Sequence, residues 1–318
     1  MSDIIAIGLV GCGRLAQAGY LPALTAARGV RLGAVADPDP VRRDTVAAIA
    51  HDAAPGSVVP AFLTLGELLE GARMDAVVLA TPAATHLADA QLAADAGVAT
   101  LVEKPPTPDV ESAAALAALD PAPWIAFNRR FATGQAAVRA ALAGRESSDL
   151  ALELRYRRAS WGAHAVGDEA LLDLGPHLID LARWLTGDEV IGVRTASFSY
   201  ERAELDLELE RGRATLRCAA DRPHRELVEA RDAGGRLLAR HSEGGLVAGL
   251  HARLSPRGAP HPLVASLTAQ LEAFARTARG EHVATLATAA DGHTAMAVID
   301  AARAGAGGGR PVALTVAA

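Results

Sequence analysis

Aromatic side chains make up only 3% of this 318-residue chain, while Ala and Gly are abundant. That imbalance reads as compositional bias and says little about function. Only two cysteines occur, Cys12 and Cys218. Two thiols exclude a disulfide framework and a thiolate metal site, and a reducing, cytoplasmic setting follows. Apolar stretches of about 18 residues or more are lacking, so no transmembrane helix is expected. The N-terminal apolar run Ile4–Val10 is short, has no basic lead-in and flows straight into glycines. It predicts a first strand and not a signal peptide. Charge of one sign is lacking too, since 31 basic and 37 acidic residues leave a formal net charge of −6. A balance this mild excludes a general nucleic-acid or membrane-surface binder.

Half of the residues are hydrophobic, enough for sizeable cores, and the length suits two domains. Continuous apolar runs at Ile4–Val10, Val30–Ala36, Ala76–Ala80, Thr100–Val102 and Trp124–Phe127 predict strands buried on both faces. Ala-rich stretches of helical length separate them, at Leu15–Ala27, Val41–Ala50, Ala84–Ala96 and Val110–Leu119. Strand–helix repetition of this kind predicts a parallel sheet with right-handed crossovers. Beyond Asn128 the pattern changes. Leu150–Arg157, Val193–Glu201, Ala203–Glu210, Ala214–Ala219 and Glu226–Ala230 mix polar with apolar residues, as in an antiparallel sheet with one solvated face. Helices are predicted at Asp173–Leu185, Leu263–Arg279 and Thr288–Ala304, with a short strand or tail at Pro311–Val316. Asp232–Pro262, rich in Gly, His and Pro, reads as a long connection, and no internal repeat occurs.

Gly11-x-Gly13-x-x-Ala16 ends the first strand and opens the first helix. The first glycine permits a tight turn, and the second lets the backbone approach a pyrophosphate. The small third residue lets helix and strand pack closely. Backbone N–H groups at the helix start, around Arg14 and Leu15, would face the phosphates. Asp37 ends the second strand, 21 residues after Ala16, where its carboxylate would accept ribose hydroxyls and repel a 2′-phosphate. NAD is therefore favoured, while Arg42 and Arg43 just downstream leave NADP open. The bland alternative is a glycine turn without a nucleotide and a surface aspartate.

In the second half, Asp173, His177 and Asp180 are spaced to share one face of a helix. An imidazole with a carboxylate one turn earlier suits proton transfer at a hydroxyl. The same pair could be a helix-surface contact or two metal ligands, although no further ligands suggest themselves and no metal is assigned. Pro176 inside the segment predicts a kink or a later helix start.

Four ordered blocks then resemble the Gfo/Idh/MocA oxidoreductases, the glucose–fructose oxidoreductase and inositol dehydrogenase group. They are Thr81-Pro82-x-x-x-His86, Glu103-Lys104-Pro105, Asn128-Arg129-Arg130-Phe131 and Asp173-Leu174-Gly175-Pro176-His177-Leu178-Ile179-Asp180. The resemblance implies an α/β protein in two domains. Residues 1–127 would form an NAD(P)-binding Rossmann domain with a doubly wound parallel sheet. Residues 128–318 would form an α/β domain with an open, mostly antiparallel sheet, for substrate binding and oligomerisation as a homodimer or homotetramer.

The resemblance also distributes roles. Thr81, Pro82, His86 and Glu103 would join Gly11, Gly13, Arg14, Leu15, Asp37 and Arg42 around the cofactor. Lys104 would reach both the nicotinamide ribose and the substrate hydroxyl, and an ammonium there can lower the pKa of the group losing its proton. His177 would be the acid/base and Asp173 would bind or polarise the substrate. Arg129 and Trp161, with His164 on the same loop, are further substrate candidates, Trp161 being equally suited to packing. Many relatives carry glycines before the aspartate, whereas this chain has Gly167-Asp168-Glu169-Ala170. That negative charge disfavours anionic substrates unless Arg129, Arg155, Arg157 or Arg158 offsets it.

Three functions follow as expectations. The first is hydride transfer between nicotinamide and a secondary hydroxyl, or the matching ketone, of a sugar, cyclitol or sugar derivative. A glycosidase or epimerase that recycles its NAD, or a dinucleotide-binding sensor without catalysis, would use the same fold.

Overall fold

Strands buried on both sides build the first sheet. In this computed structural model, which describes residues 4–53, 58–145, 148–160, 167–244, 261–306 and 311–314, all six residues of β1 (Ile5–Val10) are buried. β1 pairs in parallel with β2 (Val30–Ala36) on one side and β4 (Ala76–Leu79) on the other. β3 (Ala61–Phe62), β5 (Ala99–Val102) and β6 (Trp124–Ile125) extend it in the order β6-β5-β4-β1-β2-β3. Strand order reverses between β1 and β4, so the carboxyl ends of these two strands flank the crevice where open α/β sheets bind ligands.

Helices α1 (Leu21–Ala26), α2 (Pro40–Ala53), α3 (Leu65–Gly71), α4 (Ala83–Asp95) and α5 (Val110–Ala117) connect the strands. α3 and the two-residue β3 have no counterpart in the sequence reading, because segments this short carry too few residues to show a period. A π-helical turn, Ala16–Tyr20, precedes α1 within the single helix expected from Leu15 to Ala27.

The chain returns to this first unit late. α8 (Pro262–Ala278) buries Leu267, Leu271 and Phe274 in the cluster that holds Tyr20, Leu24 and Leu9. The Phe274 ring meets Trp124 edge-on, 6.0 Å between centroids, and Asn128 donates to the Ser266 hydroxyl at 3.0 Å. β13 (Ala287–Thr288) adds an antiparallel edge beside β6. The first unit therefore comprises Met1–Phe131 with Pro260–His293, and the second Ala132–Ala259 with Thr294–Ala318. This differs from a contiguous second domain over 128–318. A core shared by segments far apart in sequence leaves no mark at a local boundary.

The second unit is a seven-stranded sheet in the order β12-β11-β7-β10-β9-β8-β14. Its strands are β7 (Ser148–Arg157), β8 (Val190–Phe198), β9 (Arg202–Leu209), β10 (Gly212–Ala219), β11 (Asp221–Arg231), β12 (Leu237–Gly244) and β14 (Val312–Ala313). Only β7 and β10 run parallel; the other pairs are antiparallel. β12 lies inside the stretch expected as a long connection. Its mixed Leu-Leu-Ala-Arg-His-Ser sequence shows no clean alternation, and pairing with β11 decides it.

Leu150, Leu152 and Leu154, with Leu216 and Cys218 on β10, face inward and are buried. Against the sheet pack α6 (Thr133–Leu142), unanticipated from sequence, and α7 (Ala170–Thr186). Arg217–Glu204, Arg155–Glu153 and Arg225–Glu153 ion pairs occupy partly exposed positions of the same strands, at 3.0–3.6 Å. The last helix, α9 (Ala289–Gly305), carries the chain from one unit to the other. No helix among the described residues is long and apolar enough to cross a membrane.

Candidate functional site

Gly11 and Gly13 do different things. Gly11 has φ +91°, and a Cβ there would stand 2.5 Å from the Ala80 carbonyl oxygen. Its N–H donates to Ala36 O at 2.7 Å, so the turn is drawn tight between β2 and β4. At Gly13 a Cβ would meet no atom within 4 Å. The missing side chain leaves open space over the helix start, where Arg14 is exposed and Leu15 half-buried. Open space over a helix start fits a pyrophosphate.

Asp37 is 5% exposed. Its Oδ2 accepts the Cys12 N–H at 2.8 Å and its Oδ1 the Asp39 N–H at 2.9 Å. One carboxylate thus braces the glycine turn and still has acceptor capacity for two hydroxyls. Arg42 pairs with Asp39 at 3.3 Å, and Arg43 donates to the Asp37 carbonyl. Cys12 is pushed up to about 12, chiefly by burial and then by Asp37, so it is no nucleophile.

At the end of β4, Thr81 donates to Asp89 at 3.3 Å, and Pro82 precedes the first turn of α4. His86 on α4 is buried, with Nε2 2.9 Å from Thr81 O and Nδ1 3.1 Å from Pro106 O. Burial holds its pKa below the ordinary value, against those two carbonyls. A neutral imidazole carries one N–H, so it donates to one of these two carbonyls and its other nitrogen lies beside the second.

At the end of β5, Glu103 is buried and Lys104 half-buried. Glu103 Oε1 accepts the Tyr20 hydroxyl at 2.6 Å, and Oε2 accepts the Lys104 N–H at 2.9 Å. Glu103 is therefore committed to protein partners, although the resemblance placed it at the cofactor. Burial pushes its carboxyl up and, with Glu103 beside it, pushes the Tyr20 hydroxyl well up.

Lys104 carries a further signal that a motif search overlooks. It is the single lysine among 31 basic side chains. Ammonium and guanidinium are not interchangeable where one compact donor must reach a reacting oxygen.

In the second unit, α7 starts at Ala170, three residues before Asp173, and continues through Pro176. The later start that Pro176 suggested does not occur. Asp173 and His177 are 4% and 6% exposed, and Asp180 is fully buried. Tyr156, at the end of β7, donates to Asp173 Oδ2. Burial first and Asp173 second hold its phenol well above the ordinary value. Tyr156 was missed from sequence. Its signal was phase, because it continues the inward face of Leu150, Leu152 and Leu154.

Glu169 pairs with Arg303 at 2.6 Å, so that part of the negative charge expected near the substrate is met within the unit. Arg155 pairs with Glu153, while Arg158 stacks over Tyr200 at 4.8 Å. Arg129 is half-buried in the 3-10 turn Asn128–Phe131 of the first unit. Trp161 and His164 lie outside the described residues.

Two family models match this chain. Residues 5–121 match the model of an oxidoreductase family with an NAD-binding Rossmann fold, and residues 137–227 match the GFO/IDH/MocA C-terminal domain. An inositol 2-dehydrogenase of Corynebacterium glutamicum strain R is 29% identical over 228 residues, 67% of this chain and 66% of that protein. The crystal structure of a myo-inositol dehydrogenase from C. glutamicum ATCC 13032 superposes with TM-score 0.78 at 20% identity, covering 99% of this chain and 100% of that one. A Lactobacillus casei scyllo-inositol dehydrogenase, solved with NAD(H) and scyllo-inositol, gives 0.75 at 18% identity, over 98% and 99%. With both domain models matched in order on the fold they describe, this chain belongs to the Gfo/Idh/MocA family of NAD-binding oxidoreductases.

Proposed function

We propose that the protein is an NAD-dependent dehydrogenase of a secondary hydroxyl on a cyclitol or related sugar. The observation that carries this reading is Lys104. A chain that otherwise uses arginine for every basic residue keeps its one lysine in the Glu-Lys-Pro block at the end of β5.

Gly11, Gly13, Arg14, Leu15 and Asp37 would hold the dinucleotide, with Thr81 and Pro82 toward its nicotinamide end and His86 behind them. Asp37 favours NAD over NADP, and the engagement of Arg42 by Asp39 supports that preference. NAD, when bound, supplies the hydride acceptor at its nicotinamide ring. The protein's own residues manage position and proton. The Lys104 ammonium donates to the substrate oxygen and favours its deprotonation. His177 takes the hydroxyl proton as the C–O bond becomes a carbonyl. Asp173, held by Tyr156, orients that imidazole or a substrate hydroxyl, with Arg129 and Trp161 as further substrate-binding candidates. The relatives named as inositol dehydrogenases support a cyclitol as substrate. A cytoplasmic homodimer or homotetramer, assembled through the second unit, completes the reading, with light scattering as its check.

The test is reduced-nicotinamide absorbance with a panel of inositols, hexoses and ketoses. Wild type should reduce NAD with at least one cyclitol. Lys104→Arg and His177→Ala should each lower kcat by about 100-fold or more while NAD still binds. Normal turnover in both variants would sink the assignment. Product formation without net NADH would instead indicate recycled NAD.

A further inference from the structure

Tyr20 and Glu103 play no part in the proton transfer above, yet they form a buried pair next to Lys104. The pair begins with the π-turn, in which the Leu21 N–H donates to Ala16 O, one residue beyond α-helical spacing. Such turns concentrate at functional sites, because the extra residue rotates everything that follows it. Among the small residues Ala16, Ala18 and Gly19, the turn sends one large side chain, Tyr20, into the core with no exposure at all.

The Tyr20 hydroxyl donates to Glu103 Oε1 at 2.6 Å. Glu103 Oε2 accepts the Lys104 N–H at 2.9 Å, and the Glu103 N–H donates to Leu79 O at 2.9 Å. One carboxylate therefore bridges the glycine-turn helix to the peptide that carries Lys104. Filling the core requires neither polar group, because phenylalanine would occupy the same space without a buried hydroxyl to satisfy. A carboxylate at full burial is costly unless its bonds are used.

We propose that Tyr20 and Glu103 are a positioning pair. Through the bridging carboxylate, the helix that cradles the dinucleotide holds the Lys104 backbone and so sets where its ammonium meets the substrate oxygen. This inference rests on the reading of Lys104 as the substrate-orienting group.

Because Lys104 is the only lysine, reductive methylation with 13C-formaldehyde produces one dimethyl-lysine resonance, distinct from that of the terminal amine. That signal should be compared in NAD-bound wild type, Tyr20→Phe, Glu103→Gln and the double variant, with kcat and KM measured on unmodified protein. Each single variant should shift or broaden the resonance and lower kcat on the order of 10-fold or more, with KM for NAD changed less than about threefold. The double variant should be no worse than the poorer single one, as for two parts of one bridge.

A wild-type resonance and kcat in Tyr20→Phe, with only a lower Tm, would overturn the pair as a positioning device. Losses that simply multiply in the double variant would overturn it too. If Tyr20→Phe does not fold, the near-isosteric Glu103→Gln decides by the same resonance. If wild type oxidises no polyol, the dehydrogenase reading fails, and the resonance still decides whether the pair holds Lys104.

Discussion

At the scale of single residues, the two motif glycines make separable predictions. Gly11→Ala must strain a backbone at positive φ and press a methyl on the Ala80 carbonyl, so folding itself should suffer. Gly13→Ala meets no protein atom. It should melt like wild type and yet bind NAD on the order of 10-fold or more weakly, a contrast that calorimetric titration and a thermal melt would display. Unchanged affinity in folded Gly13→Ala would remove the pyrophosphate from this turn.

His86 makes a pH prediction. Its folded-state pKa lies below the ordinary 6.5 because it is buried. The unfolded chain therefore binds the proton first, and this contribution to stability is present above pH 6.5 and lost as the pH falls below it. Urea midpoints between about pH 7.5 and 5.5 should fall less steeply in His86→Gln than in wild type. Equal slopes would contradict the neutral, buried imidazole.

Motif residues such as Gly11, Asp37 and Lys104 were legible because their spacing is local. Tyr20 and Tyr156 were not, because their acid partners lie 83 and 17 residues away and only packing brings each pair together.

At the scale of elements, α9 begins with a reciprocal cap. The Asp291 N–H donates to Thr288 Oγ1 at 3.2 Å, and the Thr288 N–H donates to Asp291 Oδ2 at 2.9 Å. The same Asp291 carboxylate pairs with Arg130, which is 5% exposed, at 3.1 Å. Thr288→Ala removes only the cap and should cost about 1 kcal/mol. Asp291→Ala also removes a carboxylate partner of the buried Arg130 guanidinium and should cost clearly more than Thr288→Ala by chemical denaturation. Equal losses in the two variants would mean that the ion pair contributes nothing.

Long elements were the legible ones. β2 and the body of α7 follow from Val/Ile runs and from a Leu stripe recurring every three to four residues. β3, α3 and β12 were not, being either too short for a period or fixed by the neighbouring strand. The π-turn was hidden as well, since a one-residue excess in a helix leaves the hydrophobic pattern almost unchanged.

At the scale of the whole molecule, the family match over 5–121 suggests a self-sufficient first domain, but the core does not. Leu267, Leu271, Phe274 and Leu286 belong to the same buried cluster as Tyr20, Leu24 and Leu9. A fragment ending at Phe131 would expose that apolar surface. It should be insoluble or unfolded and bind no NAD, whereas a linked version containing residues 260–293 should be soluble and bind it. A stable, NAD-binding 1–131 fragment would show that α8 is dispensable.

The sequence by itself determined the strand–helix alternation, the glycine turn with its aspartate, and the lysine and histidine blocks. Each depends on the identity and spacing of neighbours along the chain. Only the tertiary structure decided that α8 completes the first unit, that Glu103 serves Lys104 and Tyr20, and that Tyr156 holds Asp173. Those are contacts between residues distant in sequence. Burial and hydrogen-bond satisfaction select them only once the chain has folded.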